Sequence, residues 1–451
     1  SIYTLYIYID GNRDNPITMT NQNFRFNIYG EGTGAIYKEN VIQNETTTPS
    51  SSSSTFLNTE VLRNQIESIT IEKTNVVPND AKYSKDISSK QDGSVMLWYT
   101  DKDNNSLYEI SIGSENGSVE ANTNGSGMFA YLDNVSTLDL SGLDTSNMTS
   151  MSKMFYKSTS LTNIDTSGFD TSKVVNMNGM FCGCNNLKNI DLSNFKTSNV
   201  TDMSFMFMDC SDLKALDLST FNTIKLINMN RMFRNCSNLS NLNLDKFNTS
   251  NVTDMYATFQ GCKSLTNLDL SSFYTNSVIN FGSTFEGCSN LSNLNISNFR
   301  TSNATNMNMM FRGCSSLKNL NLTNFDTSKV TYMGYMFSGT SINDIDLSNF
   351  DTSKVTSMHG MFSESSELEY LNLSNFNTKK VTDMSSMFWN NKKLKTIYVS
   401  ELWNASSLTS SDGMFYNCYS LIGTIPFDST KTDATMANYT NGYLTYKKNT
   451  N

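Results

Sequence analysis

Seven of the eight cysteines fall on one register. Cys184, Cys210, Cys236, Cys262, Cys288 and Cys314 follow one another at 26-residue steps, each three residues past a phenylalanine, and Cys418 keeps the same offset from Phe415. Thiols at regular intervals could ligate a metal or close a ladder of disulfides. Zinc sites want Cys or His in close pairs, and "CGC" at 182–184 is the one local pair. Disulfides between rungs are geometrically conceivable, but Ser158, Thr340, Ser365 and Asn391 take the same slot elsewhere. Small residues exchanging in this way point to buried thiols filling a tight corner. No metal or cofactor is implied.

A second column carries side-chain oxygen. Asp139, Asp165, Asp191, Asp217, Asn243, Asp269, Asn295, Asn321, Asp346 and Asn372 each lie between the two inward positions of a strand, apolar throughout except for Thr166, and Tyr370 stands two positions before Asn372. Strand alternation turns these residues outward, stacked about 4.8 Å apart on a sheet face. Carboxylates that close repel one another unless a cation, a ligand or admixed Asn relieves them. The column is therefore either a polar groove for a glycan or protein, or a solvated face laddered by its Asn members. These eleven residues are the candidate binding residues.

Other chemistry finds little footing. A single histidine, His359, lies in a repeat turn without a second histidine or a nucleophile context, so triad catalysis has no support. "GEGTG" at 30–34 lacks the Lys-Ser/Thr of a phosphate loop. "DKDNNSLYE" at 101–109 starts like a calcium loop but lacks its sixth-position Gly and closing Glu. Both read as turns, and no enzyme is expected.

What positions the two columns is a repeat. Phenylalanine recurs every 26 residues from Phe129 to Phe337, then at Phe362, Phe388 and Phe415 after steps of 25, 26 and 27. Most units read L-x-x-L-D-L-S-x-F-x-T-S-x-V-T-x-M-x-x-M-F-x-x-C. "LKNIDLSNF" (187–195) holds a short strand with one buried face. In "VTDMSFMF" (200–207) the apolar Val200, Met203, Met206 and Phe207 are spaced by three and four. That spacing predicts one or two helical turns, begun by Ser198 or Thr201 as a cap. The turn between them always carries threonine, from Thr145 and Thr171 through to Thr378. Strand, turn and helical segment make one coil of a solenoid. Neighbouring coils pair their strands in parallel and cover each other's apolar edges, with methionine filling the gaps.

Around twelve such repeats occupy residues 119–420. Before them come a β-rich segment (1–45, strands expected at 2–9 and 24–29), a Ser/Thr-rich linker or loop (46–55) and a β-rich flank (56–118). In that flank the 93–112 hairpin is expected to cover the first coil; residues 421–451, with Tyr439, Tyr443 and Tyr446, are expected to cover the last. The chain carries 33 Lys and Arg against 42 Asp and Glu, net −9. That balance argues against nucleic acid and anionic membranes as partners. No apolar run approaches the roughly 18 residues of a membrane-spanning helix. "SIYTLYIYIDGN" at the start lacks the basic region and cleavage site of a signal peptide, which is compatible with a signal already removed or with another route.

The units, as in 345–362, and the flanks at 66–113 and 427–446 resemble the BspA-like leucine-rich-repeat surface proteins of bacteria, over about residues 60–448. The resemblance implies a leucine-rich-repeat-like, right-handed solenoid of parallel strands with short helical or 3-10 turns. It further implies adhesion to a host or microbial surface protein or glycan, without catalysis. No LPxTG-type sorting signal is present, unlike many members. Three functions follow as expectations: an extracellular or cell-surface adhesin, a phage virion or tail-fibre component docked by its N-terminal region, and a structural spacer. Self-association, where it occurs, falls to that N-terminal region.

Overall fold

The computed structural model describes residues 38–115 and 117–449. Two compact units divide the chain, Ser1–Glu39 and Asn40–Asn451. The strands expected at 2–9 and 24–29 and the GEGTG turn lie outside the described residues. Residues 40–45 belong to the second unit, where Val41 bridges Glu120 and Ile42 bridges Ser88.

In the second unit each repeat is a coil lying parallel to the next. An unbroken ladder of parallel bridges runs from Asn124 through Ser150 and Asn176 to Asp383 and Ser410. The strand positions pair likewise: Ala215–Asp217 with Asn241–Asn243, and Asn267–Asp269 with Asn293–Asn295. The structure is mostly strands and turns. Among the described residues two 3-10 segments form, Arg63–Gln65 and Ala434–Met436, both outside the repeats.

The core is a stack of like side chains. From Phe129 to Phe415 the phenylalanine rings are essentially unexposed. Successive rings lie nearly parallel, as in Phe207–Phe233 at 5.9 Å and 2°. A second stack, including Phe195, Phe221 and Phe247, runs beside it with centroids 6.4 Å apart. Stacked at rung spacing, each ring covers its neighbour's face.

Side chains sew the coils together where backbone strands stop. In the turn column Thr145, Thr171, Thr197, Thr223, Thr275, Thr301 and Thr378 each bond both backbone groups of one residue in the following coil. The Thr223 hydroxyl donates to the Asn248 carbonyl at 3.0 Å and accepts from the Asn248 N–H at 2.7 Å. Thr301 does the same with Asp326, both at 2.8 Å. The hydroxyl both donates and accepts, which valine, of the same shape, cannot do. Thr223→Val should therefore cost about 1–2 kcal/mol, because it leaves two part-buried backbone groups without this partner, and Thr223→Ser should cost less. Urea unfolding of the two variants checks the order.

Each coil bends at corners made by Asp or Asn. Around one coil the N–H groups of Ser167, Ser172 and Asn178 donate to the Oδ1 atoms of Asp165, Asp170 and Asn176 at 2.9, 3.0 and 2.8 Å. Such two-residue side-chain turns are the particular skill of Asp and Asn.

The helical turns expected in V-T-x-M-x-x-M-F do not form. From Met203 to Cys210 the chain is a run of tight turns, with Met206, Met208 and Cys210 N–H groups bonded three residues back at 3.2, 3.0 and 3.1 Å. Intervening N–H groups, of Phe205, Phe207 and Asp209, reach the next coil at 2.8, 2.9 and 2.8 Å. Phe205 and Asp209 take φ of 59° and 60°, as the third residue of a type II turn requires. Nor does Thr201 cap a helix; its hydroxyl donates to the Val175 carbonyl of the coil before. An α-helix about 10 Å wide would force the array to splay on this side, whereas the flatter turn keeps the coils close enough to hydrogen-bond directly to one another.

Both ends are closed by residues that replace a missing coil. Four strands precede the repeats: β1 (Ile66–Glu72), β2 (Tyr83–Asp86), β3 (Val95–Thr100) and β4 (Tyr108–Ser114). The strand beside the first repeat strand is β1, through Thr70 and Asp139, with the β3–β4 hairpin beyond it rather than directly on the coil. Residues 46–55 form a loop whose Ser52 and Ser54 carbonyls accept from Asn64 and Arg63. The buried Arg63 donates to the Met128 and Ala130 carbonyls at 3.1 and 2.8 Å, groups that in later coils accept from the coil before. It pairs with Glu45 and lies over Phe56, which meets the first ring of the stack, Phe129, at 6.3 Å. At the far end Leu444–Tyr446 pairs in parallel with Thr396–Val399. The Tyr443 ring stands edge-on to Phe415 at 5.3 Å and 90°, ending the stack.

Candidate binding surface

The outward column lies where alternation puts it. Leu216 and Leu268 point inward at 3% exposure, while Asp217 and Asp269 beside them face solvent. Asp139, Asp165, Asp191, Asn295, Asn321, Asp346 and Asn372 are likewise exposed, and Asn243 is half-buried. Tyr370 is 54% exposed on the same face, with Lys395 Nζ 5.8 Å from its ring centre.

The physical reason for Asp or Asn in this column is the corner it forms. Oδ1 of Asp165, Asp191, Asp217 and Asp346 accepts the N–H two residues on at 2.9 to 3.0 Å. Asn243, Asn295, Asn321 and Asn372 do the same at 3.1 to 3.2 Å. The Ser193 and Ser219 backbone N–H groups and hydroxyls hold Asp191 and Asp217 below the ordinary carboxylate range, and for Asp165 the Ser167 hydroxyl leads. Asn rungs ladder to their neighbours: Asn295 donates to Asp269 at 2.9 Å and Asn293 to Asn267 at 2.6 Å. Over these rungs and Asn319 lies a shallow groove of about 390 Å³. Because Asn keeps the accepting oxygen, replacing Asp165, Asp191 and Asp217 together by Asn should move stability by no more than about 0.5 kcal/mol per site. Thermal melting tests this, and marked unfolding would instead indicate a structural ion.

The cysteines are buried and unbridged. Each column thiol donates to a phenylalanine carbonyl in the preceding coil, as Cys210 does to Phe181 and Cys236 to Phe207, both at 3.1 Å. Ser158, Ser365 and Asn391 make the equivalent bond at 2.8, 2.8 and 2.7 Å. The slot therefore asks for a small donor, not only a small side chain. Thr340 lies at the start of the shortened step from Phe337 to Phe362 and turns back to its own Phe337 carbonyl. Burial pushes the Cys182, Cys288 and Cys418 thiols up to about 12, so no reactive thiolate stands at the surface. Among the described residues no three His, Cys, Asp or Glu side chains gather as a metal site.

His359 joins a short chain of polar groups. Its Nε2 meets the Tyr335 hydroxyl and its Nδ1 meets Ser385 Oγ. The Ser385 hydroxyl itself donates to Asp383 at 2.5 Å, the corner bond that Ser204 makes to Asp202 in another coil. With the serine proton committed to Asp383, the facing Nδ1 is the donor in its bond to Oγ. The imidazole is thus turned wrongly to draw a proton from that serine. At 101–109, Asp101 pairs with Lys82 at 2.9 Å and Asp103 closes a turn on Asn105.

A surface that sequence reasoning missed follows the left-handed turn residues. Two residues past each core phenylalanine the backbone takes positive φ, at Lys157, Gly183, Asp209 and Asn235 and then at four glycines, Gly261, Gly287, Gly313 and Gly339. A Cβ on Gly313 would stand 3.5 Å from the Gly287 Cα, so the glycine run is a strip of bare backbone. Two shallow grooves border this column. One of about 450 Å³ runs from Lys157 and Thr159 to Gly261 and Lys263. The other, of about 570 Å³, runs from Glu286 and Gly287 to Trp389. The recurring glycines were the available signal.

Comparison with known proteins places the chain by its repeats. A search of curated proteins found no match. Similar solved structures include the TLR13–ssRNA13 complex, at 14% identity over 68% of this chain and 72% of that one, with a TM-score of 0.14. Another is the functional domain of InlJ from Listeria monocytogenes, which includes a cysteine ladder, at 13% identity over 60% and 70% of the two chains and a TM-score of 0.11. The family model described as "Mycoplasma protein of unknown function, DUF285" matches three successive stretches, 123–241, 209–322 and 306–427, which together span most of the repeats. With more than half its length so matched, the chain belongs to the DUF285 family.

Proposed function

We propose that this protein is a non-catalytic binding protein of the BspA-like leucine-rich-repeat type. Its right-handed solenoid is displayed outside the cell to hold a surface protein or glycan. The observation that carries this reading is the register of the exposed polar groups. A core sealed by stacked rings supports Asp, Asn and Ser side chains that repeat at rung spacing along the strand face and beside the left-handed column. A rigid body with open polar faces is how stacked-repeat proteins present extended binding surfaces. Polar groups on these faces are spent on corner turns and ladders, which suits recognition better than proton transfer. Purified full-length chain, screened on glycan and protein arrays, should give saturable binding to members of one class. Failure to bind anything on either array would overturn the reading.

A further inference from the structure

One column changes character near the end of the array. One residue past each core phenylalanine the chain places Arg312, Ser338, Ser363, Trp389 and Tyr416 on successive coils. The Trp389 ring stacks on Tyr416, with centroids 6.1 Å apart at 10°. It leans toward Gly413, where a Cβ would stand 3.8 Å from the indole. Its other face therefore looks back along the array, over two coils whose side chains in this column are only serines. Ser338 and Ser363 are buried and bonded to each other at 2.9 Å. Beyond them Arg312 forms the opposite wall, held by Glu286 at 3.1 Å and lying 5.0 Å over the Tyr335 ring. Gly313 and Gly339 border one side of this slot, Tyr335 and Ser386 the other.

We propose that the slot is a sugar-binding site, in which one ring of a neutral oligosaccharide stacks on the free face of Trp389. The Arg312–Glu286 pair and the exposed carboxylate of Glu364 then take its hydroxyls. This rests on the reading of the chain as a binding protein and names the ligand class. Chemistry selects a sugar over a peptide. An extended peptide needs an open backbone edge or apolar pockets for alternate side chains. Here the Gly287, Gly313 and Gly339 N–H groups are already bonded to the next coil at 2.7, 2.7 and 2.8 Å. The lining is hydroxyl, guanidinium, carboxylate and flat rings, without an aliphatic pocket. A pyranose offers what that lining complements, a C–H face for an indole and hydroxyls for charged groups. Two carboxylates against one guanidinium disfavour an anionic sugar. Trp389 is held by Tyr416, and Tyr335 by His359 and Arg312, so little ordering cost attends binding. The groove crosses five coils, about 20 Å at rung spacing, which suits a short chain rather than a monosaccharide.

Tryptophan fluorescence reads this slot directly. Of the three tryptophans, Trp98 and Trp403 are 5% and 7% exposed, which leaves Trp389 as the reporter open to ligand. Full-length protein is titrated with cellohexaose, chitohexaose, maltohexaose and mannohexaose, and binding is measured in parallel by calorimetry on the parent, Trp389→Ala and Arg312→Ala. The expected result is saturable binding of at least one of them, with a fluorescence change. Affinity should fall at least about tenfold in Trp389→Ala and several-fold in Arg312→Ala, with unchanged melting curves. Saccharide binding retained in Trp389→Ala would overturn the slot while leaving the binding reading intact. So would binding of a protein on the array with no response to any of the four sugars. No binding to any sugar or protein would overturn both.

Discussion

Raising the pH from about 8 to about 10 should remove on the order of 10 kcal/mol of stability, most of it from buried thiols. The physical source is the cysteine column. Burial raises every cysteine above its ordinary 9.0, to about 12 for Cys182, Cys288 and Cys418 and well above for Cys210, Cys262 and Cys314. A thiol with a raised folded value keeps its proton in the native state after the unfolded chain has released it. The unfolded state then binds fewer protons, so stability falls as pH rises. The contribution is whole below 9.0 and drains away between there and about 12. One pH unit above the unfolded value each such thiol has cost about 1.4 kcal/mol, and eight cysteines bring the total near 10. Urea unfolding followed by circular dichroism at several pH values measures it. Cys210, Cys236 and Cys262 replaced together by Ser provide the control, since Ser158 and Ser365 already make the same bond to a phenylalanine carbonyl. That variant starts less stable at neutral pH but should lose about 4 kcal/mol less over the alkaline range. An equally steep loss in the serine variant would show that the thiols are not the cause.

The same column shows what was legible in the sequence and what was not. A fixed period, with apolar residues always at the same offsets, makes the buried stack readable, because only a repeating fold buries residues 26 apart in one line. Alternation about Leu216 or Leu268 was enough to turn Asp217 and Asp269 outward. The same spacing that revealed the core misled about the segment ending in Phe207. Apolar residues at three- and four-residue steps fit one helical turn, and they equally fit two tight turns joined at left-handed residues. What decides between them is the width of the neighbouring element, which no single unit contains. Glycines at 179, 183, 261 and 287 mark the left-handed positions, but Lys153, Phe205, Arg231 and Tyr335 occupy equivalent ones and mask the pattern.

The alternation of Asp and Asn in the outward column was visible as a way of diluting charge. Its stronger cause, an oxygen that closes each corner on the N–H two residues later, could have been read from the Ser or Thr that follows at Ser141, Ser193 and Thr323. The sugar slot was not legible, since Trp389 acquires its free face only because Ser363 and Ser338 lie in the preceding coils. Those neighbours are 26 and 51 residues away in the chain and adjacent only in the stack.

Deleting one ring from the middle of that stack should be felt locally and strongly. Phe259 is fully buried between Phe233 and Phe285, whose centroids lie 5.6 and 5.7 Å away. Phe259→Ala removes the ring and both stacking contacts, and the coils cannot close the void without breaking register with the ladder through Asp254 and Asn280. The expected cost is about 3–5 kcal/mol, in the range of large core cavities. Because each coil touches only its neighbours, the loss should remain near the deleted ring. Amide exchange should then quicken for the coils of Phe233, Phe259 and Phe285 and stay as in the parent near Phe155 and Phe388. Phe259→Leu, which fills more of the space, should recover a sizeable part of the stability. If the alanine variant melts like the parent, the ring does not belong to a packed core. If protection is lost evenly from the first coil to the last, the array unfolds as one cooperative body and the nearest-neighbour account of its stability is wrong.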